Sequence, residues 1–500
     1  MASITPFLAY AFPSRPTSVP TIPMRSLIQP QFKSVACRAT INENDNNHHR
    51  ESNSSLQRRD LLIGLGGLYG GAAGIGTEQL AVANPIQAPD LLKCGQSNIP
   101  PDGTPINCCP PNNSTIVDFV PPTHGLHRVR RAAHLVDDKY LAKYQKAVAL
   151  MKALPDDDPR NFTQQANVHC AYCSGGYDQV GFPDLQLQVH NSWLFFPFHR
   201  FYLYFHERIL GKLIGDDNFA LPFWNWDSPA GMQIPSLYNE KSSSLYNERR
   251  DQEHLPPTIV DLDNRTNSTL TPGQLIDDNL KIMHREMVSN GRKRRDFTDR
   301  DWLDSSFLFY DENKQLVRVK VKDYLKTETL GYKYQGVANP WINSRRSPRV
   351  ASNGLLTRKL VAGEPVFPVT LEKPVTATVK RPKKGRNKKE KEEEEEVIVV
   401  EGILFDRSAY VKFDVFINSS EEVKLRPSES EFAGSFVNVP HKHGQGKKHA
   451  MVTTNLRLGI TDLLEDLGAE DDDSVKVTLV PATENCSTLK VSGIRIEFSS

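Results

Sequence analysis

Three histidines in an aromatic stretch are the residues of this sequence best suited to chemistry. They are His169, His190 and His199, within the runs VHCAYC and QVHNSWLFFPFHRFYLYFHERIL. Three imidazoles with no nearby carboxylate indicate a copper site or an open zinc site. The alternative, which is the simpler interpretation of any one histidine alone, is a buried polar group packed among aromatic rings. The rings that would keep a metal site dry are Trp193, Phe195, Phe196, Phe198 and Phe201.

A fourth histidine, on the helix predicted to carry His199, cannot belong to the same site. His206 shares a helical face with His199, but seven residues of helix rise about 10 Å. Metal–nitrogen bonds are only about 2 Å long. His206 is therefore predicted to lie outside the metal site.

The cysteines cluster at the start of the body of the chain, which favours disulfides formed in an oxidising compartment. Spacing alone does not choose among the pairings. A C-x2-C zinc site at Cys170–Cys173 is the competing interpretation, although a lone C-x2-C with no second pair is weak support for zinc. The clustered residues are Cys94, Cys108, Cys109, Cys170 and Cys173, with Cys486 alone near the end.

Amphipathic helices are predicted to position these side chains. Asp137–Leu154 carries its apolar residues on one stripe and stops at Pro155. A second helix is predicted through His199–Leu210. Thr271–Gln274 forms a predicted capping box that opens a third helix with proline at its first position.

Beyond about residue 350 the helical pattern gives way to runs of charged residues and then to alternating, strand-like segments. The basic run Lys380–Lys391 and the acidic run Glu392–Glu396 predict a solvated linker, rather than a nucleic-acid patch. Alternating segments then predict a small all-β domain, at Tyr410–Ile417, Val452–Leu458, Val475–Val480 and Leu489–Phe498.

The N-terminus has the composition of a two-part targeting signal. Residues 1–42 contain no acidic residue, which is typical of a transit peptide. Arg58 and Arg59 precede the apolar run Leu61–Ile75, and Ala81–Ala83 forms an A-x-A cleavage pattern. The apolar run is 15 residues long with six glycines, too short and too flexible to span a bilayer. These signals predict a plastid address followed by transfer to the thylakoid lumen.

Composition excludes two further classes. The 500-residue chain has 61 basic and 60 acidic residues, whereas nucleic-acid binders normally carry a large basic excess. No apolar run reaches the roughly 18 residues that a membrane span requires. The sequence therefore predicts a globular protein with neither a nucleic-acid partner nor a membrane span.

Five segments together resemble one family. The 168–200 run VHCAYCSGGYDQVGFPDLQLQVHNSWLFFPFHR and ALPFWNWDSPAGM are similar to plant polyphenol oxidases, the catechol oxidases of the type-3 copper class. DFTDRDWLDSSFLFYDEN, GYKYQ and YVKFDVFIN resemble the middle and C-terminal regions of that family. The resemblance spans nearly the whole chain.

The resemblance implies a fold and a reaction. The fold would be a mainly α tyrosinase-like domain with a four-helix-bundle core over residues 84–350, after a transit peptide over 1–83. A charged linker over 351–396 would lead to an all-β domain over 397–500, a sandwich or jelly roll that shields the copper site. The family holds two coppers per chain, each on three histidines, and oxidises o-diphenols to o-quinones with dioxygen. Its partners are small phenols and dioxygen; the sequence gives no oligomeric state.

Site residues follow from the same resemblance. His169, His190 and His199 would be the copper-A ligands, and Cys173 would form a thioether to His190. The family disulfides would fall on Cys94–Cys109 and Cys108–Cys170. No catalytic residue beyond the copper ligands is implied.

The copper-B segment of the family is missing from this sequence. In the family, an H-x3-H pair and a third histidine lie between a helix ending MVSN and the DFT-x-DWL run. Here Met287–Asn290 runs directly into Gly291–Phe297. His254 and His284 are isolated, and His441, His443 and His449 lie beside lysines that disfavour a divalent metal. We therefore predict at most one copper and impaired activity.

Two hypotheses account for the missing segment. The chain is either a splice form or faulty gene model of a functional oxidase, or a one-copper remnant that is truly made. Transcript and genomic sequence across 290–295 would distinguish the two.

The targeting signals yield a first prediction. Residues 1–90 fused to a fluorescent reporter should deliver it to plastids, and the processed product should begin near Asn84, as read by N-terminal sequencing. A reporter that stays in the cytosol, or is secreted, would contradict the assignment.

Overall fold

The structure is a computed structural model of the chain. It describes residues 84–97, 107–112, 115–122, 128–190, 192–263, 269–289, 299–345, 365–419, 425–438 and 451–499, all within one compact unit. The predicted transit peptide, residues 1–83, lies outside the described residues, as does the part of the predicted linker at 351–364.

Helices dominate the first half of the described chain. None of the helices in the described ranges is long and apolar enough to cross a membrane. The helices are α1 (Asp138–Lys152), α2 (Phe162–Cys173), α3 (Phe195–Ile214), α4 (Pro272–His284, continued by a π-helical turn at Arg285–Ser289), α5 (Arg300–Asp304), α6 (Lys388–Glu393) and α7 (Thr461–Asp466).

The helix signals in the sequence are confirmed. Asp137 is the N-cap of α1, and its carboxylate accepts a 2.7 Å hydrogen bond from the Tyr140 backbone N–H. Thr271 and Gln274 form the predicted capping box of α4. α3 begins two residues before Pro197, where proline is tolerated because the first turn of a helix has no intrahelical acceptor for its N–H groups.

Short strands frame the helices. β1 pairs with β6 in parallel and β5 pairs with β6 in antiparallel orientation, while β2 and β7 form a separate parallel pair. β3 and β4 form a hairpin just before the loop that carries His190. These strands are β1 (Ile116–Asp118), β2 (Arg128–Arg130), β3 (Asp178–Gln179), β4 (Phe182–Gln186), β5 (Ser306–Tyr310), β6 (Leu316–Lys320) and β7 (Tyr332–Tyr334).

The core of the helical part is aromatic. Tyr172 of α2 and Phe198 of α3 are 1% and 0% exposed, and their ring centroids lie 4.8 Å apart. Phe307 and Phe309 of β5 pack on Phe198 at 5.6 and 5.3 Å. α1 packs against both α2 and α3, whereas α4 lies against the turn Pro340–Asn343. The four-helix core implied by the resemblance is thus represented, among the described residues, by α1, α2 and α3.

A buried ion pair holds α3 against β2. Glu207 is fully buried, and its Oε2 accepts 2.8 Å hydrogen bonds from Arg130 Nε and from the Leu221 backbone N–H. The Arg130 guanidinium also stacks over the Tyr332 ring at 3.9 Å. Three separate segments therefore meet at one carboxylate.

The C-terminal domain consists of two antiparallel sheets on one apolar core. One sheet has the order β13-β10-β15-β8 with β16 also paired to β10, and the other has the order β12-β11-β14-β9. The strands that the sequence predicted are all present. The strands are β8 (Val369–Thr370), β9 (Val375–Lys380), β10 (Glu395–Asp406), β11 (Val411–Ile417), β12 (Phe432–Asn438), β13 (Met451–Gly459), β14 (Ser474–Pro481), β15 (Lys490–Val491) and β16 (Gly493–Ser499).

The structure differs from the predicted linker over 351–396. Residues 365–396, its described part, contain β8, β9, α6 and the start of β10. This segment is folded because its charged side chains are paired within the β domain. Buried Arg381 donates hydrogen bonds to Glu396 at 2.8 and 3.0 Å and to the Ala469 carbonyl at 2.7 Å. Lys391 pairs with Glu465 at 2.6 Å. The charged run is part of the β domain.

The Arg130–Glu207 pair yields a stability prediction. Glu207→Gln keeps the shape but leaves Arg130 buried without a countercharge, and breaking a buried pair typically costs about 3–5 kcal/mol. Urea unfolding followed by circular dichroism should show a clearly lower midpoint.

Asp118→Asn is the matched control. It breaks the Arg318–Asp118 pair, whose side chains are 44% and 67% exposed, and exposed pairs contribute about 0–1 kcal/mol. Equal shifts for the two variants would contradict the structural role of Glu207.

Candidate metal centre

The first histidine of the centre lies on α2. Asn161 caps this helix by accepting a hydrogen bond from the Thr163 backbone N–H at 2.8 Å. Burial of Val168 and Tyr172 fixes the rotation of the helix, so that His169 points towards α3. The Nε2 atoms of His169 and His199 lie 3.1 Å apart.

The second histidine is oriented by its own helix. His199 Nδ1 lies 2.7 Å from the Phe195 carbonyl oxygen, one turn earlier on α3. Because a carbonyl can only accept, Nδ1 carries the proton, and the Nε2 lone pair is left for a metal. The i−4 spacing of residues 195 and 199 was a signal for this contact that the sequence reasoning missed.

The third histidine comes from the loop between β4 and α3. The His190 backbone N–H donates to Gln188 Oε1 at 2.9 Å. Ring centroids of the three histidines are 5.4 Å (His169–His190), 5.2 Å (His169–His199) and 5.3 Å (His190–His199) apart. The structure thus brings together all three histidines that the sequence singled out.

This arrangement fits one copper ion. Ligand atoms of His169, Cys173, His190 and His199 all lie within 4.8 Å of one another. Two nitrogens bound to one metal at about 2.0–2.1 Å stand roughly 3 to 3.5 Å apart, in agreement with the His169–His199 separation. Burial, with a smaller effect of His199, lowers the pKa of His169 to about 4, and burial also lowers the pKa of His199. Both rings are neutral near pH 7, as copper ligation requires.

Cysteines surround the centre. The structure contains the disulfides Cys94–Cys109 and Cys108–Cys170, the pairs that the family resemblance implies, and the second ties the N-terminal segment to α2 beside His169. Cys173 is a buried free thiol whose pKa is raised by burial. Its sulfur lies in the same cluster as His190, and the thioether between them stays a prediction.

Of the five aromatic rings predicted to keep the metal site dry, two are buried and three are exposed. Phe198 and Phe201 are fully buried, but Trp193, Phe195 and Phe196 are 37%, 40% and 69% exposed. The exposed rings lie at and just before the start of α3. The predicted dry enclosure is therefore open on one side, where the described residues place no covering element.

One functional neighbour was not recognised in the sequence. Tyr202 lies one turn after Phe198, its ring centroid 5.6 Å from that of His169, and its hydroxyl donates to the Gln165 carbonyl at 2.9 Å. It therefore supports both α2 and the imidazole. The i+3 spacing from His199 on the same helix was the signal for it.

The remaining histidines form no second cluster among the described residues. His206 on α3 is half-buried, desolvation lowers its pKa to about 4, and it lies outside the His169 cluster as predicted. His254 is exposed and bonds to Asp251 at 2.8 Å, and His284 is buried at the end of α4. His441, His443 and His449 lie outside the described residues.

Comparisons with known proteins identify the family. A family profile described as the polyphenol oxidase middle domain matches residues 296–347, and one described as the chloroplastic polyphenol oxidase C-terminal domain matches residues 367–498. The chloroplastic polyphenol oxidase of Malus domestica is 46% identical over 577 residues, covering 97% of this chain and 95% of that protein. The chain belongs to the plant polyphenol oxidases. These are type-3 copper proteins.

Two further relatives share this architecture. Aureusidin synthase of Antirrhinum majus is 44% identical, with 83% of this chain and 89% of that protein covered. The solved structure of latent apple tyrosinase superposes with a TM-score of 0.71 at 47% identity, covering 77% of this chain and 100% of that one. Helices followed by a β-rich C-terminal region are therefore the family arrangement.

The alignment with the Malus enzyme is longer than this chain. It runs over 577 positions, whereas the chain has 500 residues, so at least 77 positions of the relative face gaps here. A helical hairpin with its loops fits within that length.

The three-histidine cluster yields a binding prediction. Loss of a residue that only orients a metal ligand typically costs about 10–100-fold in metal affinity. Loss of a ligand itself should cost more, so His169→Ala or His199→Ala should weaken copper binding by more than about 100-fold. Copper per chain after dialysis, measured by atomic absorption, checks this. His254→Ala, at an exposed histidine, is the matched control and should keep wild-type copper. Undiminished copper in His169→Ala would contradict the assignment.

Proposed function

We propose that this chain derives from an o-diphenol oxidase and carries only the copper-A half of its metal centre. The observation that supports this most is the single imidazole cluster of the described residues. The surplus positions in the Malus enzyme agree with a missing segment, which we place at 290–295, where Met287–Asn290 runs into the DFT-x-DWL motif.

The absence of a second copper site limits the reaction because each o-diphenol must give up two electrons. Two o-diphenols give up four electrons and four protons to one dioxygen, forming two o-quinones and two waters. Each diphenol must therefore lose two electrons. Copper supplies this redox capacity when bound, but a single ion cycles through one electron at a time, so one site cannot match the two-electron chemistry of the family.

The residues of the chain can hold one copper, but they do not enclose a dry pocket for the substrate. His169, His190 and His199 bind and orient one copper through their ring nitrogens, and the Phe195 carbonyl holds the His199 tautomer. Phe198 excludes water from one side. The opposite side, beside Phe196, is open to solvent where a dry substrate pocket would be needed.

The proposed substrate class is o-diphenols rather than monophenols. The family resemblance supports diphenol oxidation, while the name of aureusidin synthase indicates that relatives have diverged in their products. Monophenol hydroxylation is the second candidate. Assays of the restored chain with catechol and with tyrosine in parallel distinguish the two.

We also propose where the protein acts and how it is restrained. The acid-free N-terminus and the chloroplastic names of its relatives support a plastid protein, and Arg58-Arg59 with Ala81–Ala83 supports the thylakoid lumen. The latent state named for the apple structure supports a shielding role for the C-terminal β domain.

Two origins account for this chain: it is a splice form or faulty gene model of a functional oxidase, or it is a one-copper remnant that is truly made, in which case neither the genome nor the transcript carries copper-B codons. Sequencing the transcript and the genomic DNA across 290–295 decides this. Copper-B codons in the genome but not in the transcript would identify a splice form, and codons in both would identify a gene-model error.

The incomplete centre yields a prediction for activity. The purified chain should bind at most one copper, and its rate of catechol oxidation, followed by quinone absorbance, should not exceed that of the same concentration of free copper. Inserting the missing segment from the Malus enzyme at 290–295 should restore both a second copper and turnover.

The inserted chain with His169→Ala is the matched control, because it has the segment but lacks a copper-A ligand. It should stay inactive. Two coppers and rapid quinone formation in the unmodified chain would overturn the proposal.

A further inference from the structure

Strand β11 is buried on both faces although one face is polar. Side chains alternate across a strand, and one face of β11 packs into the core of its own domain. The other face carries Lys412, Asp414 and Phe416, which are 5%, 5% and 0% exposed. A face with lysine and aspartate normally points to water in an antiparallel sheet, so another element must cover it. The core-facing residues are Val411, Phe413, Val415 and Ile417.

At Lys412 the covering group comes from the helical part of the chain. Lys412 Nζ donates to Asp263 Oδ1 at 2.8 Å and to the Asp263 carbonyl at 3.0 Å. Their side chains are only 6% and 11% exposed. This contact joins two residues that are 149 positions apart in the sequence.

Asp263 is itself held in place by α4. The fully buried Asn279 accepts from the Leu262 backbone N–H at 3.0 Å and donates to the Val260 carbonyl at 2.6 Å. The loop that presents Asp263 is thereby fixed to the helical part rather than to the β domain.

Asp414 positions the lysine from the other side. Its Oδ1 lies 3.3 Å from Lys412 Nζ and accepts a hydrogen bond from Ser435 Oγ at 2.5 Å. Burial alone lowers the pKa of Lys412, but the carboxylates of Asp414 and Asp263 together raise it above its ordinary value. The ammonium therefore stays charged, which makes the loss of either carboxylate costly.

A second contact of opposite polarity lies elsewhere between the two parts. Here the β domain supplies the carboxylates: Asp466 of α7 pairs with Arg345, and it lies near buried Arg285, as does Asp462. β12 packs against the π-helical turn that begins at Arg285. Arg345 is 60% exposed, so this second ion pair contributes little by itself.

We infer that the β11 face with Lys412, Asp414 and Phe416 is the surface by which the β domain docks on the helical part, and that docking depends on the Lys412–Asp263 contact. Lys412 of the β domain donates to Asp263 of the helical part, and Asp414 holds the Lys412 ammonium in position. The inference concerns how the two parts are held together and is independent of copper.

The test uses the full chain with a specific protease site inserted at residue 355. After complete cleavage, the two fragments of the parent chain should co-elute in size-exclusion chromatography. Asp263→Asn should raise the dissociation constant of the fragments at least tenfold, because it leaves Lys412 buried with one carboxylate instead of two. Lys412→Met should act in the same direction.

Two controls keep the test decisive. Lys384→Met removes an exposed ion pair with Asp473 inside the β domain and should leave co-elution unchanged. Asp263→Asn leaves the Lys412–Asp414 pair of the β domain intact, so it decides the matter if Lys412→Met misfolds. Separation of the parent fragments, or parent-like affinity in Asp263→Asn, would overturn the inference. Copper-free protein serves throughout, so the result is separate from that for the metal centre.

Discussion

The separation of α2 and α3 is the constraint on which the metal centre depends. The contact that sets it is between Tyr172 and Phe198, fully buried rings 4.8 Å apart, one from each helix. The Tyr172 hydroxyl also accepts a hydrogen bond from the Leu308 backbone N–H at 2.8 Å, which anchors α2 to β5. His169 and His199 are brought to 3.1 Å because they flank this contact. Widening this separation by about 1 Å would take the two nitrogens beyond the roughly 3 to 3.5 Å spacing expected when one ion binds several imidazoles.

One side of α3 is apolar and exposed. Phe196, His199 and Leu203 share one face of α3, and Phe196 and Leu203 are 69% and 41% exposed. An apolar stripe on a long helix normally packs on a partner. The buried face of α3 is intact because its partners, α1 and β5, are encoded elsewhere in the chain. The three histidines are therefore held in one cluster although this side of α3 is exposed.

Several charged side chains are buried in this molecule, although charged residues normally lie at the protein surface. Glu207, Arg381 and Lys412 are each at least nine-tenths buried, and each bonds to a residue more than 70 positions away in the sequence: Arg130, Ala469 and Asp263. These groups do not add stability in proportion to their number, because desolvation offsets much of the attraction. They do make wrong arrangements costly, since any other packing would leave a buried charge unpaired. Of the three, Lys412 bonds across the two parts of the chain, whereas Glu207 and Arg381 bond within one part each.

The sequence by itself determined the local features: the capping box at Thr271, the stop of α1 before Pro155, the β strands after residue 410 and the three histidines as one cluster. Such features follow from periodicity, caps and ligand chemistry within a few residues, or from family motifs. The tertiary structure alone decided that the charged run near Arg381 is folded, that Phe195 and Phe196 are exposed, and that Lys412 faces Asp263. Arg381 bonds to the Ala469 carbonyl and Lys412 to Asp263, 88 and 149 positions away, and no local signal shows that Phe195 and Phe196 are left uncovered. The charge and hydrophobicity of a side chain predict whether it prefers contact with water. Only the packed fold determines whether another part of the protein takes the place of that water.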